Sequence, residues 1–237
     1  MSHLEELNKL AHIAHPDHAR ADRTGIPEII LTNRKSIAQN LDIAARLLAQ
    51  EGRAILSRVS AELLHALQEH FPDSLEVTSS GTTVVLRGAA GNVPVSGGRV
   101  GILTAGTSDI PIAEEAAVLC REVGCHVQTA YDVGVAGLHR LHQPLHMMLH
   151  ETAVDVIIVA AGMDGALPSV VAGLVDVPVI GLPTSIGYGM GGEGVAALMS
   201  MLQSCAPGLA VVNIDNGIGA GAMAARIANR AAAARGA

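Results

Sequence analysis

A few short stretches hold side chains whose types and spacing could do chemistry. The first is Gly106-Thr107-Ser108-Asp109, set between an apolar run, Val100 to Thr104, and a helical segment with Pro111 in its first turn. Such a strand, turn and helix start gathers free backbone N–H groups, two hydroxyls and the positive end of a helix dipole. That is a ready site for an anion. Ser108 reads as the helix N-cap, and a proline in the first turn forfeits no hydrogen bond. Asp109 would repel a phosphate but would suit a ribose hydroxyl, or a metal ion that also binds the phosphate. The second stretch is His139-Arg140, where Arg140 could clamp a phosphate with two parallel hydrogen bonds. The third is Cys205, in Ser204-Cys205-Ala206-Pro207-Gly208, between a helix and the last strand. A helix C-terminus disfavours a thiolate, and an isolated cysteine is ordinarily a small buried hydrophobe. Cys120 and Cys125 are read in that ordinary way.

Two other patterns carry less. His139, His142, His146 and His150 have the spacing of metal ligands on a helix. Pro144 interrupts that helix, however, and no cysteine or carboxylate completes a closed site, so the face reads as solvated and no metal is assigned. Gly189 to Gly194 matches G-x-G-x-x-G, with Asp215 about 20 residues on, as a dinucleotide fingerprint requires. The first glycine of such a motif should directly follow its strand, and here Leu182 to Tyr188 intervenes. The stretch therefore reads as a flexible glycine lid.

The elements that must position these residues follow from periodicity and punctuation. Leu4 to Ala14 reads as a short amphipathic helix, and His15-Pro16 and Gly25-Ile26-Pro27 as breaks. A strand at Glu28–Leu31 and a helix at Lys35–Gln50, closed by Gly52, come next. A strand at Ala54–Val59 and a helix at Ala61–His70 follow, then a hairpin of Leu75–Val77 with Thr83–Leu86 around Ser79-Ser80-Gly81. The glycine-rich, uncharged stretch Gly88 to Gly98 marks a domain boundary, with a small α+β domain at 1–95 and a larger one at 96–237.

Past it, strands at 100–104, 126–130, 154–159, 178–181 and 209–213 alternate with helices at 109–122, 137–150, 166–175, 193–203 and 217–234. Val/Ile-rich strands alternating with helices predict an α/β fold, a doubly wound parallel five-stranded sheet covered on both faces. Ligands of such sheets sit at the carboxyl ends of the strands. Those ends carry Gly106–Asp109, Tyr131–Gly134, Ala161–Gly165, Pro183–Ser185 and Asn213–Gly217, which suggests one pocket shared by all five loops.

Composition narrows the function. Of 237 residues, 49% are hydrophobic and 16% charged, so a sizeable core is expected. Phe71, Tyr131 and Tyr188 are the only aromatic residues, which argues against stacking platforms for single-stranded nucleic acid. A net charge of −7 leaves no polycationic footprint for nucleic acid or an anionic membrane. No run reaches the ~18 apolar residues of a membrane span, and no signal pattern opens the chain. Three cysteines without a CxxC suggest reduced thiols in the cytosol.

GTSDIPIAEEA, DVGVAGLHRL, AGMDGALPSVVAGLVDVPVIGLPTSIGYG, MLQSCAPG and VVNIDNGIGAG resemble the LarB family, the pyridinium-3,5-biscarboxylic acid mononucleotide synthases of nickel-pincer cofactor assembly. DRTGIPEII and the helix after it fit that family's N-terminal region. The C-terminal half is also similar to PurE, the aminoimidazole ribonucleotide carboxylase/mutase family. The G-S-x-S-D turn and A-H-R motif of PurE correspond here to Gly106–Asp109 and Leu138-His139-Arg140. SCAPG and NIDNG favour LarB, because the PurE pattern has no cysteine at that point.

The LarB resemblance implies a substrate, nicotinic acid adenine dinucleotide, and a co-substrate, CO2. The ring is carboxylated at C5 and the pyrophosphate is hydrolysed to release AMP. It implies Cys205 as nucleophile and Asp164, in Gly-Met-acid-Gly, as base. The family commonly has Glu there, and Asp reaches roughly 1 Å less, a shift that matters for a positioned group. Gly106, Thr107, Ser108, Asp109, His139, Arg140 and Gly162 would hold phosphate and ribose, with Asp215 and Asn216 lining the pocket. Mg2+ would neutralise the pyrophosphate.

Topology adds an expectation about assembly. Cys205 precedes the last strand, so it lies at the amino edge of its own sheet, roughly 15 Å from the carboxyl edge at ~3.3 Å per residue. A thiol cannot span that distance, so Cys205 would have to enter a neighbouring subunit's pocket. A homo-oligomer follows, and the PurE resemblance implies an octamer. Two rival functions stay open: a PurE-like carboxylase or mutase with His139 as acid/base, and a nucleotide-binding protein without catalysis.

Overall fold

The computed structural model describes Asp17 and residues 19–236. The helix expected at Leu4–Ala14 and the break at His15-Pro16 lie outside these. The chain divides into two compact units, Met1–Asn92 and Val93–Ala237.

The first unit has helices α1 (Arg20–Thr24), α2 (Ile37–Glu51) and α3 (Ala61–His70), and strands β1 (Ile29–Leu31), β2 (Arg53–Ser57), β3 (Leu75–Val77) and β4 (Thr83–Arg87). The sheet order is β1-β2-β4-β3, with β1 and β2 parallel and the other pairs antiparallel. Local chemistry sets the ends of α2. Ser36 and Gln39 form a reciprocal capping box at its start, and Gly52, at φ 73°, ends it in the left-handed conformation. Leu47, Leu56, Leu67 and Leu86 are the large side chains at the centre of this unit's aliphatic core.

The second unit contains β5 (Arg99–Thr104), α4 (Ile110–Glu122), β6 (His126–Ala130), α5 (His139–His146), β7 (Val156–Ala161), α6 (Leu167–Ala172), β8 (Val179–Pro183), α7 (Val195–Leu202), β9 (Leu209–Val211) and α8 (Gly217–Arg235). All five strands are parallel, in the order β6-β5-β7-β8-β9. Alternate residues feed two separate cores. Val100, Ile102, Val156 and Ile158 face α4 and α8, whereas Leu103, Ile157 and Val159 pack with Leu141 and Met148 on the other side. A strand buried on both faces must be apolar throughout, which is why these runs lack alternation.

With almost no aromatic residues, α4 and α8 meet through alanine and glycine. Ala113, Ala116 and Ala117 are buried against Ala220, Ala224 and Ala228. A Cβ on Gly221 would come within 2.8 Å of the Ala116 carbonyl oxygen, so the two backbones are nearly in contact there.

Several boundaries differ from expectation. The third strand of the sheet runs 156–161 rather than 154–159, and the last stops at Val211. Pro144 does not interrupt its helix: α5 runs through it and widens afterwards into a π turn, Met147–Glu151, in which Thr152 N–H donates to the Met147 carbonyl. Ser108 is not the helix N-cap. It sits inside a 3-10 turn, Thr107–Asp109, that precedes α4. The proline expected in the first turn of α4 is there.

Candidate active site

The chain forms β5 first, adds β6 on one side and β7 on the other. The strand order therefore reverses between β5 and β7, the place where parallel sheets hold ligands. A cleft of ≈ 690 Å3 opens there. The turn after β5 contributes Gly106, Ser108 and Asp109, and the segment after β6 contributes Asp132, Gly134 and, from α5, Arg140. The turn after β7 contributes Gly162, Met163 and Asp164, and the loop after β8 contributes Ile186, Gly187 and Tyr188. A second cavity of ≈ 290 Å3 lies along Ser185–Gly194 and shares Met163, Ile186, Gly187 and Tyr188 with the first.

Asp109 is the most enclosed charged group of the cleft, at 3% exposure. Its Oδ2 accepts from the Gly106 N–H at 2.8 Å, and its Oδ1 accepts from the Thr184 hydroxyl at 2.6 Å. The Gly162 backbone also favours its charged form. Burial pushes this carboxyl above its usual range. The hydrogen bonds from Thr184 and Gly106, with the Gly162 backbone, oppose that rise, and the negative charge of Asp215 adds to it. The turn therefore departs from the expected anion cradle: the N–H of Gly106 is taken by the protein's own carboxylate.

Arg140 Nη1 donates to Asp132 Oδ2 at 2.5 Å, which holds the guanidinium at the cleft wall while leaving it partly exposed. Asp164 is exposed, and its Oδ1 accepts from the Ala166 N–H at 3.4 Å. Asp132 and Met163 both hold left-handed backbone, at φ 59° and 52°, which is uncommon for residues with a side chain.

Of the residues singled out from sequence, Gly106, Ser108, Asp109, Arg140, Gly162 and Asp164 come together around the cleft. Thr107 and His139 are exposed beside it and are not part of its lining. Asp215 and Asn216 are not lining residues either, so the pocket is built by four loops rather than five. Strand β9 is the far edge of the sheet, and both side chains are turned to local work. Asp215 accepts from the Ser185 N–H at 2.8 Å, and Asn216 caps α8 by accepting from Gly219 at 2.9 Å.

Cys205 is exposed and lies between α7 and β9, outside the cleft. Three residues on, the Gly208 carbonyl accepts from Val179 N–H at the amino end of β8, whereas Thr184 marks the other end. Cys120 and Cys125 are buried, as their ordinary reading required. Burial pushes both thiols up, away from the thiolate.

The four helix histidines are all exposed, and the rings of His146 and His150 lie 4.6 Å apart, tilted by 51°. Among the described residues no group of three or more His, Cys, Asp or Glu could hold a metal ion. Also among them, no helix is long and apolar enough to cross a membrane.

Sequence reasoning placed Asp132 and Thr184 in the pocket loops but gave them no role, and it missed Ile186–Tyr188 as part of the lining. Asp132 and Thr184 each stand just past a strand, a position that marked the other loops. Thr184 also breaks an apolar run with a hydroxyl.

Comparison with known proteins agrees with this architecture. Residues 7–88 match the LarB/PurE-like N-terminal domain, and residues 99–235 match AIR carboxylase. An uncharacterized protein of Methanocaldococcus jannaschii is 43% identical over 218 residues, covering 90% of this chain and 82% of that protein. The N5-carboxyaminoimidazole ribonucleotide mutase of the same organism is 34% identical over 128 residues, covering 53% of this chain and 76% of that protein. A probable mutase of the same name from Methanothermobacter thermautotrophicus is 34% identical over 133 residues, which cover 54% of this chain and 37% of that protein. With the parallel sheet, the cleft at its switch point and both domain matches in place, the chain belongs to the LarB family, with a PurE-like C-terminal domain of the AIR carboxylase type.

Proposed function

We propose that this chain is a pyridinium-3,5-biscarboxylic acid mononucleotide synthase. It would take nicotinic acid adenine dinucleotide and CO2 and release AMP and the dicarboxylated mononucleotide, in the cytoplasm and as a homo-oligomer. The observation that carries the reading is the contrast among the cysteines: Cys205, in the family's SCAPG segment, is exposed, while the other two are buried.

The chemistry explains why a thiol is needed. A pyridinium ring is electron-poor, so its C5 cannot attack CO2. The Cys205 thiol gives up its proton and the sulfur adds at C4, leaving a dihydropyridine whose C5 is enamine-like and nucleophilic. C5 then bonds to CO2. A base removes the C5 proton, the C4–S bond breaks, and the ring regains its charge and aromaticity with the thiolate released. Asp164 is the base in this reading, since it is an exposed carboxylate on the cleft wall. A cationic ring next to Cys205 favours the thiolate, so the substrate itself activates the nucleophile. Arg140 would meet a phosphate with the donors that Asp132 leaves free. Water completes the second reaction by cleaving the phosphoanhydride.

Because Cys205 lies outside its own chain's cleft, the reading has it act in the cleft of another copy, within an octamer by likeness to PurE. Among the described residues His, Cys, Asp and Glu make no cage for a resident metal. Mg2+ belongs in this reading to the substrate, arriving on its pyrophosphate with most of its waters.

The likeness to N5-carboxyaminoimidazole ribonucleotide mutases favours a second reading, a carboxylase or mutase acting on an aminoimidazole ribonucleotide. Mass spectrometry after incubation with each candidate substrate and labelled bicarbonate separates the two. AMP with a labelled dicarboxylated mononucleotide supports the synthase. Turnover of the aminoimidazole ribonucleotide supports the second reading. Binding without turnover overturns both.

A further inference from the structure

Strand β8 is Val-Ile-Gly-Leu-Pro, and the next residue is a threonine with no exposed surface at all. Its hydroxyl does not close a local turn. It reaches across the sheet to Asp109, 75 positions earlier, at 2.6 Å. The same carboxylate accepts from the Gly106 N–H. Donors from the segments after β5 and β8 thus meet on one buried group, and Gly162, from the segment after β7, lies against the Thr184 hydroxyl that makes the link.

The neighbouring contacts show how closely these segments fit. The Thr184 N–H donates to the Ala161 carbonyl at 3.1 Å, and the Met163 N–H to the Ile186 carbonyl at 2.9 Å. A Cβ on Gly162 would meet Thr184 Oγ1 at 2.8 Å and the Ile186 carbonyl oxygen at 2.2 Å. Gly162, Met163 and Ile186 all line the cleft, so whatever spaces these segments shapes the site.

We propose that Thr184 and Asp109 form a buried latch that sets the spacing of the three cleft loops, which makes Thr184 a positioning residue of the site. The donor set explains the residue types. Both hydrogen-bond partners of Asp109 donate to it, which a carboxylate accepts at both oxygens, whereas an amide could keep the Gly106 N–H only by turning its NH2 toward Thr184 and reversing that bond. Thr184 must be a hydroxyl because valine, of nearly the same shape, has nothing to donate. The link from latch to ligand rests on the cleft being the dinucleotide site, but the latch itself does not.

The test compares Thr184→Val, Thr184→Ser, Asp109→Asn and the Val/Asn double variant. Two readouts are used: amide hydrogen exchange at Gly106 and Gly162 in ligand-free protein, and affinity for nicotinic acid adenine dinucleotide. A hydrogen bond to a charged group is worth about a tenfold change in an equilibrium. Thr184→Val should therefore speed exchange at both glycines by about tenfold and weaken the dinucleotide by a similar factor, and Thr184→Ser should restore both. The double variant should be no worse than Asp109→Asn alone, because both substitutions break one unit. Unchanged exchange in Thr184→Val overturns the latch, as do losses that add in full. If the dinucleotide fails to bind the unaltered protein, the functional reading falls, and the exchange measurement still decides the latch.

Discussion

The two edges of the five-stranded sheet are built on different terms. At the carboxyl edge, Asp132, Met163 and Asp215 hold left-handed backbone at φ 59°, 52° and 54°. Residues with side chains reach that region only when their surroundings force them, at a cost of about 1 kcal/mol or more each. The amino edge is plainer. The turns into β6 and β9 use glycine, Gly124 and Gly208, and among the described residues only Ala153 there is a non-glycine residue at positive φ. Its main fastening is Asp155, which accepts from the Arg99 N–H at 2.8 Å and pairs with Arg235 from the end of α8. One edge aims side chains at the expense of strain, and the other holds strands and helices in place. Cys205 is the exception to this division, since it is the proposed nucleophile and yet lies toward the plain edge.

The sharpest way to break the contrast is therefore Cys205→Ser. An oxygen nucleophile has a far higher pKa, so carboxylation should fall below detection while dinucleotide affinity stays within several-fold. Cys120→Ser with Cys125→Ser should leave turnover nearly unchanged. Mixing Cys205→Ser with Asp109→Ala, both inactive alone, should restore part of the activity after subunit exchange if sites are shared. A fully active monomer by light scattering would place the nucleophile elsewhere.

Next in size is Asp164→Asn. Loss of a positioned base costs on the order of 10^2 to 10^4 in rate, and the thiolate adduct should accumulate with the absorbance of a dihydropyridine. Asp164→Glu should keep substantial activity. Wild-type turnover by the Asn variant would assign the proton to another group.

At the plain edge the effect should be on stability alone. Asp155→Ala leaves the Arg99 N–H without its acceptor and should cost about 1–3 kcal/mol in urea unfolding. The ratio kcat/KM should stay within about twofold, because Asp155 does not line the carboxyl-edge cleft. A large loss of turnover there would mean that the two edges are not independent.

The sequence carried the alternation of strands and helices well, because buried parallel strands are apolar without interruption and glycine or proline punctuates them. It carried Gly106, Ser108, Asp109, Arg140, Gly162 and Asp164 into one cleft, because strand ends in such a sheet converge. What it could not carry was partner choice. Asp109 and Asp215 look alike as loop carboxylates, but one is buried and accepts from Gly106 and Thr184, and the other holds the backbone of Ser185. The left-handed turns at Asp132 and Met163 also left no mark, since nothing but glycine announces that conformation in a sequence. The passage of α5 through Pro144, and the π turn after it, were not signalled by any residue type.

The smallest expected effect tests whether the charge on Asp109 is held against a cost. Burial raises this carboxyl in the folded protein above its usual value of 3.8, and the charge of Asp215 pushes the same way. A raised acid binds its proton more tightly when folded than when unfolded. Its contribution to stability is thus full below the unfolded pKa and is lost as pH rises through the folded one. The free energy of unfolding should fall with pH in the window above 3.8, with a slope of at most one proton, about 1.4 kcal/mol per pH unit. Urea midpoints of the unaltered protein and Asp109→Asn across that window isolate the term, because Asn cannot titrate and should lack this part of the slope. Thr184→Val removes a donor that favours the ionised form, so it should extend the window to higher pH. Parallel curves for all three proteins would show that Asp109 ionises as freely as an exposed carboxylate, and the enclosed edge would then differ from the plain one in geometry alone.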